Sequence, residues 1–243
     1  MSLLRHLPNA LTLGNLVCGA MATVFISRSY DNSLAVLLIF LGAIFDLMDG
    51  ALARKVGSSG EFGKQLDSLA DVVTFGVAPS TIIFAMLQKS LPEPYLWVAN
   101  LAFMNAVCAA LRLARFNITI TSQKDFTGMP SPANGLLWAS VSVEAKLRNP
   151  DFQSFDFVLP VNLLLTLLAL SSLMMVSEVR MFSLKLSPGG WKNNLEQTIF
   201  LVLTILVALL FWTLSLNLVL IIPLLLILYM LFGLAKYFVN MMR

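Results

Sequence analysis

Four aspartates, Asp46, Asp49, Asp67 and Asp71, stand in or beside strongly apolar sequence within the stretch DLMDGALARKVGSSGEFGKQLDSLAD. One carboxylate at membrane depth costs roughly 2.5–3.5 kcal/mol on insertion scales, so four together need a compensating function. Asp46 and Asp49 are three residues apart and Asp67 and Asp71 four apart, which puts each pair on one face of a helix. Between the pairs lie Gly57, Ser58, Ser59, Gly60 and Gly63, a run that breaks a helix and lets two helices turn back antiparallel. Four like charges gathered in this way repel unless cations sit among them. An all-carboxylate set suits hard ions such as Mg2+, Mn2+ or Ca2+, and two divalent ions would neutralise it. Zinc is disfavoured, because no Cys/His ligand set accompanies the acids.

Paired divalent ions are a common arrangement for displacement at phosphorus. The small residues Gly50 and Ala53 leave room about one turn from the aspartates, and Arg54 offers a guanidinium fork matched to phosphate oxygens. Ser58, Ser59 and the backbone N–H groups around them are placed to hold a polar head group. The combination points to an enzyme acting on a lipid phosphate. The bland alternative is that the acids cap helices or pair with surface cations, which would suit one or two of them better than four. A rival of another class is a divalent-cation transporter, since intramembrane acids often mark ion paths. Against it, the acids lie near the ends of two helices, no acid continues a path through the later apolar runs, and no internal repeat stands out.

The elements that must position these groups follow from hydropathy. Of 243 residues 58% are hydrophobic and only 12% charged, against about 25% charged in soluble domains. The expected fold is therefore an all-α integral membrane protein with about eight transmembrane helices. The first two spans are Leu7–Ile26 and a run from Ser33 that passes through Asp46 and Asp49 to Arg54. A third helix covers Gln65–Leu87, with a bend expected at Gly76 and Pro79. Pro94–Leu111, Ala133–Val143 (extending weakly to Leu147) and Phe157–Val176 make spans four to six. Gln197–Ala235 is uncharged and too long for one crossing, so it divides near Leu214–Asn217 into spans seven and eight. Cys18 and Cys108 fall inside apolar runs and read as small buried hydrophobes, and His6 as a solvated side chain of the basic N-terminus.

With the N-terminus cytoplasmic, twelve of the 16 lysines and arginines fall inside, among them Arg54, Lys64, Arg112, Arg115 and Arg180. Arg28, Lys89, Lys146 and Arg148 fall outside. Both termini and the aspartate cluster are thus expected at the cytoplasmic face of the membrane. The net charge of +3 reflects this topology rather than nucleic-acid binding.

The pattern Asp46-x-x-Asp49-Gly50-x-x-Ala53-Arg54, eight residues, Gly63-x-x-x-Asp67-x-x-x-Asp71 resembles the complete signature of the CDP-alcohol phosphotransferase family. The resemblance implies that Asp46, Asp49, Asp67 and Asp71 hold two divalent cations, and that Asp71 is also the general base toward an acceptor hydroxyl. It implies that Asp49, Gly50, Ala53, Arg54, Ser58, Ser59 and Gly63 receive the CDP-linked donor. It also implies a six-helix core, here residues 1–185, followed by a C-terminal pair of helices in residues 186–243, and a homodimer.

Three further stretches, LPNALTLGNLVCG (Leu7–Gly19), RLARFN (Arg112–Asn117) and FTGMPSPANG (Phe126–Gly135), are similar to the bacterial and archaeal phosphatidylserine synthase branch. That likeness implies a prokaryotic cytoplasmic membrane, CDP-diacylglycerol as donor and L-serine as acceptor. Arg112 and Arg115, spaced three apart, offer the cation that the carboxylate of serine needs, or serve only as positive-inside anchors. Asn117 either caps or binds. Gly128, Pro130 and Pro132 fix a turn that is either a plain helix start or a lid on the acceptor pocket. Glycerol 3-phosphate or an inositol compound are the alternative acceptors, since Lys64, Arg112, Arg115 and Lys124 could satisfy a phosphate as well.

Overall fold

The computed structural model describes residues 2–28, 32–57, 60–118, 126–147, 160–181, 198–199, 201–207 and 221–241. Eight helices follow one another among them: α1 (Ser2–Ser27), α2 (Asn32–Val56), α3 (Glu61–Ser90), α4 (Glu93–Ile118), α5 (Ser131–Leu147), α6 (Val161–Val176), α7 (201–207) and α8 (Ile221–Met241). The first four are long and apolar enough to cross a membrane, and α6 and the stretch Pro223–Gly233 of α8 are shorter apolar helices. The expected division near Leu214–Asn217 and the start of span six at Phe157 lie outside the described residues.

The outer faces show why this is a membrane fold. Leu13, Val17, Met21 and Val24 line one side of α1, and Leu37, Leu41, Ile44 and Leu47 one side of α2, all exposed. Spacings of three and four make each set a continuous stripe, which in water would be a large unpaired apolar face and in lipid is the matching one. Inside, Ala22, Ile39, Phe75, Ile82, Trp138 and Leu164 belong to one core cluster joining α1, α2, α3, α5 and α6. A second cluster joins α4, α5, α6 and α8 through Ala109, Leu137, Met174 and Tyr229. Cys18 and Cys108 are buried free thiols, as their apolar setting predicts, and Cys108 belongs to the second cluster.

α2 ends on Arg54 and Lys55, cations that suit the negative end of the helix dipole. Gly57 follows at φ 67°, a left-handed turn that closes the helix at little steric cost. α3 starts after Gly60 with Glu61 in its first turn. It does not simply bend at Gly76 and Pro79. Its backbone widens into a π turn over Val72–Val77 and resumes as α-helix at Ala78. Pro79 has no N–H to return to the preceding turn, and the wider turn just before it absorbs that lack. α4 opens as 3-10 helix over Glu93–Phe103 and continues as α-helix to Ile118, so the basic RLARFN stretch is helical.

α1, α2 and the π turn meet closely because glycine lines the crossing. A Cβ on Gly42 would lie 2.7 Å from Thr74 Cγ2, and one on Gly19 would lie 2.8 Å from the Thr74 backbone nitrogen. Thr74 Oγ1 donates to the Asn15 carbonyl at 2.9 Å across the same contact. Gly19→Ala must therefore push backbone apart. We expect it to cost about 1–3 kcal/mol, seen as a lower thermal midpoint in detergent. Gly60→Ala, with nothing within 4 Å of the new methyl, is expected to leave the midpoint in place.

The chain closes at the end where α2 turns into α3. There β1 (Phe126–Thr127) pairs antiparallel with β2 (Arg180–Met181). Gly128 (φ 71°) donates its N–H to Val179 O and Met129 donates to Met174 O, both at 2.9 Å. The FTGMPSPANG stretch is thus fastened to the end of α6, and α5 starts at Ser131 with Pro132 in its first turn. A fastened wall describes it better than a lid.

Candidate active site

The tight reversal at Gly57 lays the end of α2 against the start of α3. Carboxylate oxygens of Asp46, Asp49 and Asp67 all come within 4.8 Å of one another. Asp49 is buried, Asp46 and Asp67 half-buried, and the Asp46 and Asp67 carboxyl groups are in hydrogen-bonding contact. Asp71 is one turn further along α3, 6% exposed, and within electrostatic reach of the other three.

The donor set fits a hard cation: all oxygen, same-sign, and convergent. Asp67 Oδ1 is moreover a buried acceptor with no hydrogen-bond partner, as a ligand atom would be. The three-membered group accounts for one cation directly, and Asp71 stands beside it rather than in it.

Two neighbours of the carboxylates were not singled out by their sequence. Thr12 Oγ1 donates to Asp49 Oδ2 at 2.5 Å, and Asn15 Nδ2 donates to Asp71 Oδ1 at 3.2 Å. Both project from α1, and with Asn9 they form a polar edge at i, i+3 and i+6. Asn9 Oδ1 would lie 3.3 Å from a Cβ on Gly63. The signal was legible in principle, since three polar residues at helical spacing in an otherwise uncharged span need a polar partner.

The residues expected to receive the donor come from both sides of Gly57. Arg54 is exposed and its guanidinium folds back over Gly50, where a Cβ would sit 3.5 Å from Nη1. Ala53 and Gly63 are half-buried. Ser58 and Ser59 lie outside the described residues.

On the acceptor side the three candidates part company. Arg112 points inward, half-buried, into the field of Asp71. Its Nη1 donates to Ser131 Oγ at 3.2 Å, and its buried Nε has no partner among the described residues. Arg115 is exposed and donates to Val176 O at 3.0 Å, tying α4 to the end of α6. Asn117 Nδ2 donates to Ser68 Oγ at 2.9 Å and to Gln65 Oε1 at 3.2 Å, while its main-chain carbonyl accepts from Lys64 Nζ at 2.9 Å. Asn117 therefore ties α4 to α3. A spacing of three brings Arg112 to the aspartates and leaves Arg115 at the rim.

A helical membrane fold with an acidic cluster between its second and third helices defines the class. The chain belongs to the CDP-alcohol phosphatidyltransferase family, whose model matches residues 5–229. Among its curated relatives is a CDP-diacylglycerol–serine O-phosphatidyltransferase of Bacillus subtilis, 39% identical over 135 residues, which are 55% of this chain and 73% of that protein. The enzyme of that name from Methanocaldococcus jannaschii is 40% identical over 130 residues, 52% of this chain and 55% of its own length. The one from Mycobacterium leprae is 35% identical over 140 residues, 55% of this chain and 45% of its own length. The matched region thus spans about half of the last two relatives.

Proposed function

We propose that the protein transfers the phosphatidyl group of CDP-diacylglycerol to the hydroxyl of L-serine, releasing CMP and forming phosphatidylserine. The observation that carries this reading is the convergence of the aspartates beside the inward-facing Arg112, in a chain whose curated relatives are named for that reaction.

In this reading Asp49, Gly50, Ala53, Arg54 and Gly63, with Ser58 and Ser59, hold the CDP part of the donor. Two divalent cations held by Asp46, Asp49, Asp67 and Asp71, Mg2+ or Mn2+ with Ca2+ as a third candidate, would offset the charge of the diphosphate and of the departing CMP. Asn15 occupies Asp71 Oδ1, which leaves the other oxygen for the serine hydroxyl. Asp71 takes the hydroxyl proton as the serine oxygen bonds to the phosphorus that bears diacylglycerol. The bond from that phosphorus to the bridging oxygen breaks, and the electron pair leaves with CMP. Arg112 Nε, a donor without a protein partner, takes the serine carboxylate. Arg115 and Asn117 support it by holding the end of α4.

The clustering of Lys64, Asn117, Val176 and β2 at one end of the bundle supports a cytoplasmic site, because the cation-rich connections share that end. The proposal keeps residues 1–185 as the catalytic domain and 186–243 as a C-terminal pair that buttresses it, with Tyr229 and Met230 in a core cluster with Met129, Leu137 and Met174. The working unit is proposed to be a homodimer.

The test is CMP release by purified protein given CDP-diacylglycerol with L-serine, glycerol 3-phosphate or inositol. Release with serine alone is the expected result. Release with another acceptor and not serine overturns the serine assignment, and no release with any acceptor overturns the transferase reading. Arg112→Ala should raise the apparent KM for serine by roughly 10–100-fold, the worth of a charge-assisted hydrogen bond, with little change in the KM for lipid. Arg115→Ala should instead act on both substrates together and lower the thermal midpoint.

A further inference from the structure

Beyond Arg112 Nε, the acceptor side holds buried polar atoms of opposite chemistry without a partner among the described residues, Asn117 Oδ1 at the rim and Asn134 Oδ1 further in. Asn134 is 0% exposed, and its Oδ1 has no hydrogen-bond donor among the described residues. Its orientation is dictated by a relay that starts at a main-chain carbonyl. Gly76 O can only accept, and it takes Asn105 Nδ2 at 3.3 Å. Asn105 therefore presents Oδ1 on its other side, where Asn134 Nδ2 donates at 2.7 Å. Turning the Asn134 amide around would set two carbonyl oxygens against each other. The Ser80 hydroxyl gives its single proton to Gly76 O at 2.7 Å, so it does not supply the missing donor. The relay leaves this acceptor unmet, in an interior where that is costly.

Depth places this atom one to two turns beyond Asp71, level with Gly76. α3 and α4 run antiparallel, with Asn117 bonded to Ser68 and Asn105 bonded to Gly76 and Ser80. Interpolating at about 1.5 Å per residue sets Arg112 level with Asp71. On α5, Ser131 meets Arg112, and Asn134 follows one turn deeper. The orphan donor of Arg112 thus stands level with the proposed base, and the orphan acceptor of Asn134 lies about a turn deeper along α5 from the Ser131 that Arg112 bonds.

We infer that Asn134 is a specificity residue that reads the ammonium group of an amino-acid acceptor through Oδ1, while Arg112 Nε holds the carboxylate and the hydroxyl faces Asp71. A zwitterion supplies both missing partners at once. Glycerol 3-phosphate has no ammonium to offer. The inference rests on the proposal that serine is the acceptor.

The test measures the KM for L-serine and for CDP-diacylglycerol, with ethanolamine and 3-hydroxypropanoate as inhibitors that lack the carboxylate and the ammonium in turn. Wild-type turnover with serine is established first, so that its failure counts against the transferase reading and not against Asn134. Asn134→Leu should raise the serine KM and the ethanolamine Ki by about 10-fold or more, with the 3-hydroxypropanoate Ki and the lipid KM changed less than about twofold. Asn134→Asp keeps an accepting oxygen, and should hold the ratio of serine KM to 3-hydroxypropanoate Ki at or below the wild-type value. An Asn134→Leu variant with an unaltered serine KM, or with equal losses for serine, 3-hydroxypropanoate and lipid, overturns the inference. Should the leucine variant fail to fold, a tenfold rise of that ratio in Asn134→Asp overturns it equally.

Discussion

Asp71→Asn is expected to remove serine-dependent CMP release by about 10²–10⁴-fold, the span typical of a lost general base. The change is nearly isosteric. An asparagine can still turn its carbonyl oxygen to the Asn15 amide, which donates at 3.2 Å in the native protein. What it then presents toward the acceptor is an NH2 group, which cannot take a proton. Asp46, Asp49 and Asp67 remain gathered, so much of the donor affinity should survive. The measurement is kcat by CMP release, paired with the thermal shift that CDP-diacylglycerol produces. A variant that turns over near the wild-type rate removes Asp71 from the role of base. One that loses the lipid-dependent shift as well moves it into the donor site.

Removal of divalent cations should abolish turnover, and Mg2+ or Mn2+ should restore it. The same site predicts a sign reversal in stability. Two carboxylates no more than 4.8 Å apart repel by about 3.5 kcal/mol at an effective dielectric of 20. In EDTA, Asp67→Asn relieves part of that repulsion and should melt a few degrees above wild type. In millimolar Mg2+ the wild type gains the stabilisation of a bound ion and should melt above the variant. Full activity in excess EDTA, or a variant less stable than wild type in both buffers, would count against a cation site among these aspartates.

Much of the site was legible because helices convert spacing into geometry. The intervals 46–49 and 67–71, with a glycine-rich turn between them, sufficed to bring three carboxylates together. Apolar runs likewise gave the order of the helices and the burial of Cys18 and Cys108. Which partner each side chain meets when separate elements dock was not legible. Thr12 and Asn15 find their aspartates only because Gly19 and Gly42 let α1 and α2 close on Thr74. Arg112 and Arg115 share a helix and a spacing, yet one meets Ser131 and the other Val176, because residues three apart point about 60° away from each other. The Phe126–Thr127 pairing with Arg180–Met181 is two residues long, too short for any alternation to announce it.

The π turn at Val72–Val77 has a bearing on how such a protein can vary. Each residue of an α-helix advances the direction of its side chain by 100°, so a continuous α-helix would lock the azimuth of Asp67 and Asp71 to that of Ile82, Ile83 and Met86. The wider turn breaks this phase relation. The Glu61–Asp71 half of α3 can keep its carboxylates aimed at α2, while the far half is rotated to whatever angle best fills the apolar core. One helix thereby answers to two independent alignments, and substitutions that repack its far half need not swing the acids out of register.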